Sequence, residues 1–186
     1  MEEIIDGYAE WQNRPDLTGI GRMPERAAFF RYADKREALS EAGLQSARCM
    51  PLNGKWRFRL YPNHQKRPEG FADPNFRAAG YNTIEVPGSW QMQGYGVPQY
   101  CNMRIHGKGR RSLFRPMRRW KRIRWGATSK AFSSLSPGRR NAFFSDLREW
   151  NPPFYLFVNG NRIGYAENSF GPSEFELTAF LLRGKI

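Results

Sequence analysis

The stretch that decides the fold is FYLFVNGNRIGYAENS, residues 154–169. An apolar run leads into the pair Asn159-Gly160, and the chain returns through Ile163 and Tyr165. Asn-Gly suits the two-residue turn of a β-hairpin, because both central residues of that turn need positive φ. The stretch therefore predicts two antiparallel strands joined by a tight turn.

Three further stretches show the two-residue alternation of half-buried strands. In LNGKWRFRLYP, residues 52–62, three apolar side chains alternate with Lys or Arg. In YNTIEVPGSW, residues 81–90, Ile84 and Val86 lie on one face, and a Pro-Gly pair ends the strand. SEFELTAF, residues 173–180, repeats the alternation near the carboxyl end. The chain thus contains several short strands separated by turns.

Helical sequence is scarce. The one candidate is the Ala- and Glu-rich stretch 34–42, which lies at the end of an extended arm, residues 1–45. The 13 Pro and 18 Gly, scattered without a period, favour short strands and turns. We predict an all-β antiparallel sandwich, with the arm followed by a single domain over residues 46–186.

Length and motifs exclude several classes of protein. A chain of 186 residues suffices for one domain with its own core. The acidic start is unlike a signal peptide, and no run of about 18 apolar residues occurs, so we expect a cytoplasmic protein without a membrane partner. Without secretion, Cys49 and Cys101 are expected to stay reduced rather than pair. With His64 and His106 they lack the spacing of a metal site, so no bound metal is expected.

The net charge of +13 is concentrated in one segment. Residues 104–150 contain 14 Lys and Arg but 2 Asp and Glu, whereas the other 139 residues contain 16 and 15. Basic residues among aromatics are typical of a nucleic-acid-binding arm, which makes residues 104–125 a candidate for that role. A solvated basic loop is the plainer alternative. A third interpretation depends on the rest of the chain.

Four blocks stand in order along the remaining sequence: LNGKWRFRLYP, PEGF, VPGSWQMQGYGVPQYCN and FYLFVNGNRIGYAENSFGPSEFELTAFL. Together they resemble the amino-terminal region of the large β-galactosidases of glycoside hydrolase family 2, over about residues 8–102 and 154–184. The lead-in WQNRPDLTGIGRMPERAAFFRY is also similar, although Gly21 stands where that family usually has Asn. The resemblance implies a jelly-roll sandwich, the sugar-binding domain, which in the family packs against a later catalytic barrel.

The resemblance also implies a chemistry, the hydrolysis of terminal β-galactosides such as lactose with retention. Retention needs a nucleophile and an acid/base, both carboxylates. The family carries both on its barrel, far beyond Ile186, so we expect no catalytic residue here and no hydrolysis by this chain alone. The clustered Glu167, Glu174 and Glu176 are expected to be surface groups. The intact family uses Mg²⁺ and Na⁺ and is usually homo-oligomeric.

One substrate-binding residue is implied. Asn102, in QYCN, matches the family Asn that hydrogen-bonds galactosyl hydroxyls, a task that suits an amide because it offers both a donor and an acceptor. The alternative is a loop Asn that satisfies its own turn. Trp90, Gln91 and Tyr95 are candidates for a sugar-stacking platform, but we prefer the interpretation that they pack the loop.

Between residues 104 and 153 the family pattern is lost while the length is kept. Reading the last base of each codon with the first two of the next allows RIRWGAT to encode NPVG-x-Y and DLREWNPP to encode FEGVESA, two missing family motifs. The third and preferred interpretation of the basic segment is therefore a double frameshift, with the frame restored near Pro153. We accordingly expect residues 104–150 to be the least regular part of the chain.

Overall fold

The computed structural model describes residues 14, 16–27, 29–40, 43–97, 125–132, 142–148, 153–167 and 171–181. These residues contain eight strands and one α-helix, in the order β1 (Gly19–Ile20), α1 (Lys35–Leu39), β2 (Gly54–Tyr61), β3 (Asn82–Val86), β4 (Trp125–Ser129), β5 (Phe144–Leu147), β6 (Phe154–Val158), β7 (Asn161–Ala166) and β8 (Ser173–Glu176). Every strand pair is antiparallel. The prediction of an all-β antiparallel fold is confirmed.

The first sheet has the order β3-β2-β4. Along β2 the Lys and Arg side chains are exposed, Phe58 is buried, and Trp56 and Leu60, which share its face, are half-buried; Tyr61, on the opposite face, is also buried. Ile84 of β3 and Ala127 of β4 are also buried. The period-two pattern of the sequence therefore buries the face of β2 that it predicts.

Two stretches inside the basic segment are regular, contrary to expectation. Trp125–Ser129 forms β4 and pairs with β2, and Phe144–Leu147 forms β5 and pairs with β8. The described residues of the segment thus include two strands, and the prediction that residues 104–150 are the least regular part of the chain stays a prediction, because most of that segment lies outside the described residues. Strand pairing uses backbone N–H and C=O groups, so a short stretch without Pro can pair whatever the composition around it.

The second sheet has the order β1-β7-β6 and contains the predicted hairpin. Asn159 and Gly160, at its turn, have φ values of 49° and 84°, as a turn with two positive φ angles requires. The Asn159 side chain also donates from Nδ2 to the carbonyl oxygen of Phe180, at 2.8 Å. The turn is thus fixed to the segment that follows β8.

The third sheet is the pair β5-β8, and the main apolar cluster lies beside it. The buried residues of this cluster are Phe154 of β6, Ala166 of β7, Phe175 of β8 and Leu177, which directly follows β8. The rings of Phe154 and Phe175 meet edge to face, with centroids 6.2 Å apart. Side chains of the second and third sheets therefore share one core.

The amino-terminal arm joins these two sheets. Gly19 and Ile20 pair with β7, Arg22 forms a bridge with Phe175 of β8, and the Met23 N–H donates to the carbonyl oxygen of Glu174. Between the two contacts Gly21 has φ of 67°, and a Cβ there would lie 2.5 Å from the carbonyl oxygen of Ile163. Only glycine fits this position without movement of the backbone.

A stack of rings connects the first and second sheets. Trp125 of β4 stacks on Tyr155 of β6, with centroids 5.7 Å apart, and Tyr155 packs on Tyr165 of β7 at 4.8 Å. Tyr165 is fully buried. The contact between the two sheets thus includes a residue of the basic segment.

Candidate functional site

The loop that follows β3, residues 87–97, is held against the first sheet by two rings. Trp90 and Tyr95 both pack on the buried Phe58, with centroid distances of 5.4 and 4.8 Å. Trp90 also lies directly against the backbone of β4, because a Cβ on Gly126 would be 2.3 Å from its Cζ3 atom. The loop therefore contacts β2 and β4 through aromatic side chains.

A third attachment joins the loop to β3. The side-chain amide of Gln93 accepts from the backbone N–H of Glu85 at 2.7 Å and donates to the Glu85 carbonyl oxygen at 3.0 Å. A carboxamide has one donor edge and one acceptor edge, so Gln93 pairs with Glu85 as the backbone of a neighbouring strand would. Gly88 lies under this amide, since a Cβ there would be 2.9 Å from both Gln93 Nε2 and the Glu85 carbonyl oxygen.

These contacts decide between the two interpretations of the loop. The rings of Trp90 and Tyr95 pack against the ring of Phe58, and the side chain of Gln91 accepts a hydrogen bond from the Ser89 hydroxyl at 2.7 Å. The packing interpretation is confirmed for the two rings. The role of Gln93 was missed, because a single Gln after a strand has no sequence pattern that distinguishes it.

Asn102, the candidate sugar ligand, lies outside the described residues, as do Cys101 and His106. The described part of the loop ends at residue 97, a few positions before Asn102. The loop that leads to Asn102 is thus fastened to all three strands of the first sheet.

The three clustered acids, Glu167, Glu174 and Glu176, have different surroundings. Glu174 is not the surface group that the sequence predicts: its side chain is 13% exposed and accepts hydrogen bonds from the Arg26 guanidinium. The arm covers it. Glu167 is half-buried and bonded to the Tyr165 hydroxyl, and Glu176 is exposed, as expected.

Two hydroxyl groups meet beside the first sheet. Tyr61 donates to Tyr81 across 3.2 Å, and burial together with this hydrogen bond raises the pKa of Tyr81 above its ordinary value. Desolvation disfavours a phenolate, so Tyr81 stays neutral through the physiological range. This pair is suited to packing and not to proton transfer.

Metal and membrane features are absent from the part of the chain that the structure describes. Its His, Cys, Asp and Glu side chains form no group of three or more that could hold a metal ion. Cys49 is a free thiol. None of the described helices has the length and apolar character needed to span a bilayer.

Known proteins match this chain in two ways. Residues 49–108 match the family model described as "Glycosyl hydrolases family 2, sugar binding domain". A β-galactosidase of Priestia megaterium is 31% identical over 180 residues, and one of Halalkalibacterium halodurans is 30% identical over 175 residues. The matches cover 97% and 94% of this chain, which spans 17% of the length of each relative.

The matches bear on the basic segment. Because they cover nearly the whole chain, most of residues 104–153 lies inside the matched region. Neither the family model nor the two relatives support a nucleic-acid-binding protein acting through residues 104–125.

Proposed function

Because this chain contains the sugar-binding domain of the family 2 β-galactosidases, we propose that it contributes the galactose-contacting loop of an enzyme that hydrolyses terminal β-galactosides such as lactose. In this proposal Asn102 donates to and accepts from galactosyl hydroxyls. The chain itself supplies no catalytic carboxylate and does not hydrolyse the substrate alone.

The observation that carries the proposal is the attachment of residues 87–97. Trp90 and Tyr95 on Phe58, together with Gln93 on Glu85, fix residues 87–97, the described part of the loop that leads toward Asn102. A ligand-binding amide gains affinity when the segment that carries it is ordered before the ligand arrives, because less conformational entropy is lost on binding.

Retention is part of the proposal. It requires two carboxylates about 5–5.5 Å apart, one forming the glycosyl-enzyme bond and one acting as acid and then as base. Glu167 and Glu174 already have partners in Tyr165 and Arg26, which supports placing the two carboxylates outside this chain.

The test is a chimera in which this chain, with residues 104–153 returned to the family reading frame, replaces the matched sixth of the Priestia megaterium β-galactosidase. We expect hydrolysis of lactose and of a nitrophenyl β-galactoside, with β-galactose as the first product seen by NMR. The isolated chain should give none. Asn102→Ala should lower kcat/KM by about 10–100-fold, because a hydrogen bond that strengthens in the transition state is lost. Asn82→Ala, on the exposed part of β3, is the matched control.

Four results would contradict this function. They are a chimera that does not hydrolyse the substrate, turnover by the isolated chain, an inverted first product, and an Asn102→Ala chimera as active as the Asn82→Ala chimera.

We further propose that residues 104–153 are translated out of frame. The loss of the motifs NPVG-x-Y and FEGVESA at the correct distance supports it, as does a matched region that continues on both sides. The nucleotide sequence decides: reading this segment one base back should restore both motifs, and their absence would refute the frameshift. A chimera with the restored segment should be more active than a chimera with residues 104–153 as they stand in this sequence.

A further inference from the structure

Three oxidisable side chains, Trp125, Tyr155 and Tyr165, form a continuous ring stack from the surface into the core. Trp125 is half-buried, whereas Tyr165 is fully buried. The Tyr155 ring lies between them, with its centroid 5.7 Å from that of Trp125 and 4.8 Å from that of Tyr165. Both separations lie within the range of about 4.5–7 Å for rings in contact. Indole and phenol rings lose an electron more readily than other aromatic side chains, so the ring stack is a path along which an electron can leave the core.

The buried end of the ring stack has a proton acceptor. The Tyr165 hydroxyl donates to the carboxylate of Glu167, which is half-buried. A tyrosine that has lost an electron is a strong acid, so its oxidation is favoured where a base lies within hydrogen-bond reach of its hydroxyl. A carboxylate is such a base, because it can accept the hydrogen bond and then bind the proton. Tyr165 can therefore lose an electron and a proton together.

Tyr61 provides a comparison within the same molecule. It lies directly opposite Trp125 in the pairing of β2 with β4, and it is buried. Its hydroxyl donates to the hydroxyl of Tyr81. A neutral phenol is a much weaker base than a carboxylate, so the proton of an oxidised Tyr61 has no equivalent acceptor at this bond. The two tyrosines near Trp125 thus differ in the group that receives their hydroxyl hydrogen bond.

A positive charge lies beside the middle of the ring stack. The guanidinium carbon of Arg162 is 4.9 Å from the centre of the Tyr155 ring. A fixed positive charge at this distance disfavours a second positive charge on the ring. A missing electron is therefore less stable on Tyr155 than on Tyr165, where loss of the proton leaves the ring neutral.

We propose that the ring stack and Glu167 form a one-electron relay that restores Trp125 after attack by a small oxidising radical. The radical takes one electron from the Trp125 indole and is itself reduced. Tyr165 then supplies an electron to Trp125 across the Tyr155 ring, and the Tyr165 hydroxyl proton passes to Glu167. The products are an intact indole, a neutral tyrosyl radical at Tyr165 and a protonated Glu167. An indole that first loses its N–H proton to water takes one back when the electron arrives, so the balance is unchanged.

The first experiment uses this chain as it stands, with azide radicals generated by pulse radiolysis, which oxidise tryptophan in preference to tyrosine. We expect a fast tryptophan-to-tyrosine radical transfer in the absorption transients, at a rate independent of protein concentration. Tyr165→Phe should abolish this fast phase. Glu167→Gln, which accepts the hydrogen bond but cannot take the proton, should slow it about 100-fold. Tyr61→Phe is the matched control and should leave it unchanged.

Each of these variants keeps the ring or the shape of the side chain, and circular dichroism checks that it is folded. A wild-type chain without the fast phase overturns the inference. A Tyr165→Phe or Glu167→Gln chain that transfers as fast as the wild type also overturns it. Loss of the fast phase in Tyr61→Phe would identify Tyr61 as the electron donor and would overturn it as well.

The second experiment locates the damage by mass spectrometry after steady generation of the same radical. The relay predicts that oxidation products at Trp125 rise about tenfold in both Glu167→Gln and Tyr165→Phe, because the indole is no longer restored before it reacts further. Trp90, which is half-buried and packs on Phe58, is the internal control and should be oxidised to the same extent in all chains. A yield at Trp125 that does not rise in both variants overturns the inference.

Discussion

Gly126→Ala tests the packing of the loop on the first sheet most directly. The new Cβ would lie 2.3 Å from Trp90 Cζ3 and 2.9 Å from Phe58 Cε2. Carbon atoms in contact prefer about 3.5–4.0 Å, so the indole must move by more than about 1 Å. Because Phe58 is fully buried, the ring can move only outward, away from its aromatic partner.

The expected cost has two parts. Overpacking a tight site costs about 1–3 kcal/mol. Loss of the Trp90–Phe58 ring contact adds about 0.5–1.5 kcal/mol. The free energy of unfolding should therefore fall by about 2–4 kcal/mol, which for a chain of this length lowers Tm by about 5–15 °C.

The assay is urea unfolding followed by circular dichroism, with ΔG taken from the midpoint and slope. Gly19→Ala is the matched control, because its Cβ would meet only ordinary contacts at 3.4 Å or more; its effect should lie within about 1 kcal/mol. In a Trp90→Ala background Gly126→Ala should destabilise the chain by about 1–3 kcal/mol less than it does in the wild type, because the Trp90 ring that the new Cβ meets is absent. A single variant as stable as the wild type, or a cost unchanged without Trp90, would refute this account of the loop.

Three further predictions concern other contacts. Gly164→Ala should destabilise the chain by about 2 kcal/mol or more and speed tryptic cleavage of the arm, because its Cβ would lie 2.4 Å from the Ile20 carbonyl oxygen; arm cleavage at the wild-type rate would contradict this. Gln93→Ala should lower the free energy of unfolding by about 1–3 kcal/mol through loss of both bonds to Glu85, and Gln93→Glu, which keeps only the acceptor, should not restore it; full rescue by Glu would show that the donated bond is unimportant. The pKa of Glu37 is lowered from its ordinary value of 4.5 by hydrogen bonds from the Ala33 and Ala47 backbone N–H groups, so its stabilising effect is present above the unfolded pKa and is lost as the pH falls through the folded value. NMR titration of the Glu37 carboxyl should show this lowered pKa, and a value at or above 4.5 would refute it.

The hairpin and β2 were predictable because their signals are local. Asn159-Gly160 defines its turn by backbone geometry, and the alternation in β2 needs only one buried face. β1, β4 and β5 were not predictable, since each is short and forms through backbone bonds to a partner far away in sequence. A local sequence pattern does not predict such long-range pairing.

The candidate site divides in the same way. The residue types of the loop indicated either stacking or packing, and only the position of Phe58 decided between them. The Gln93 side-chain amide bonds to the Glu85 backbone as a neighbouring strand would, and this contact depends on where Glu85 lies and not on any sequence motif. The burial of Glu174 was not predicted because Arg26, the arm residue that covers it, lies 148 positions earlier in the sequence.

The arm has a consequence for the order in which the molecule forms. Residues 19–23 are synthesised well before their partners on β7 and β8; Arg26 and Glu174 are 148 positions apart. Contacts of such sequence separation close late, and until then the arm is an unpaired strand. A chain that ended before Phe154 would lack those partners, so the arm could join neither of these sheets.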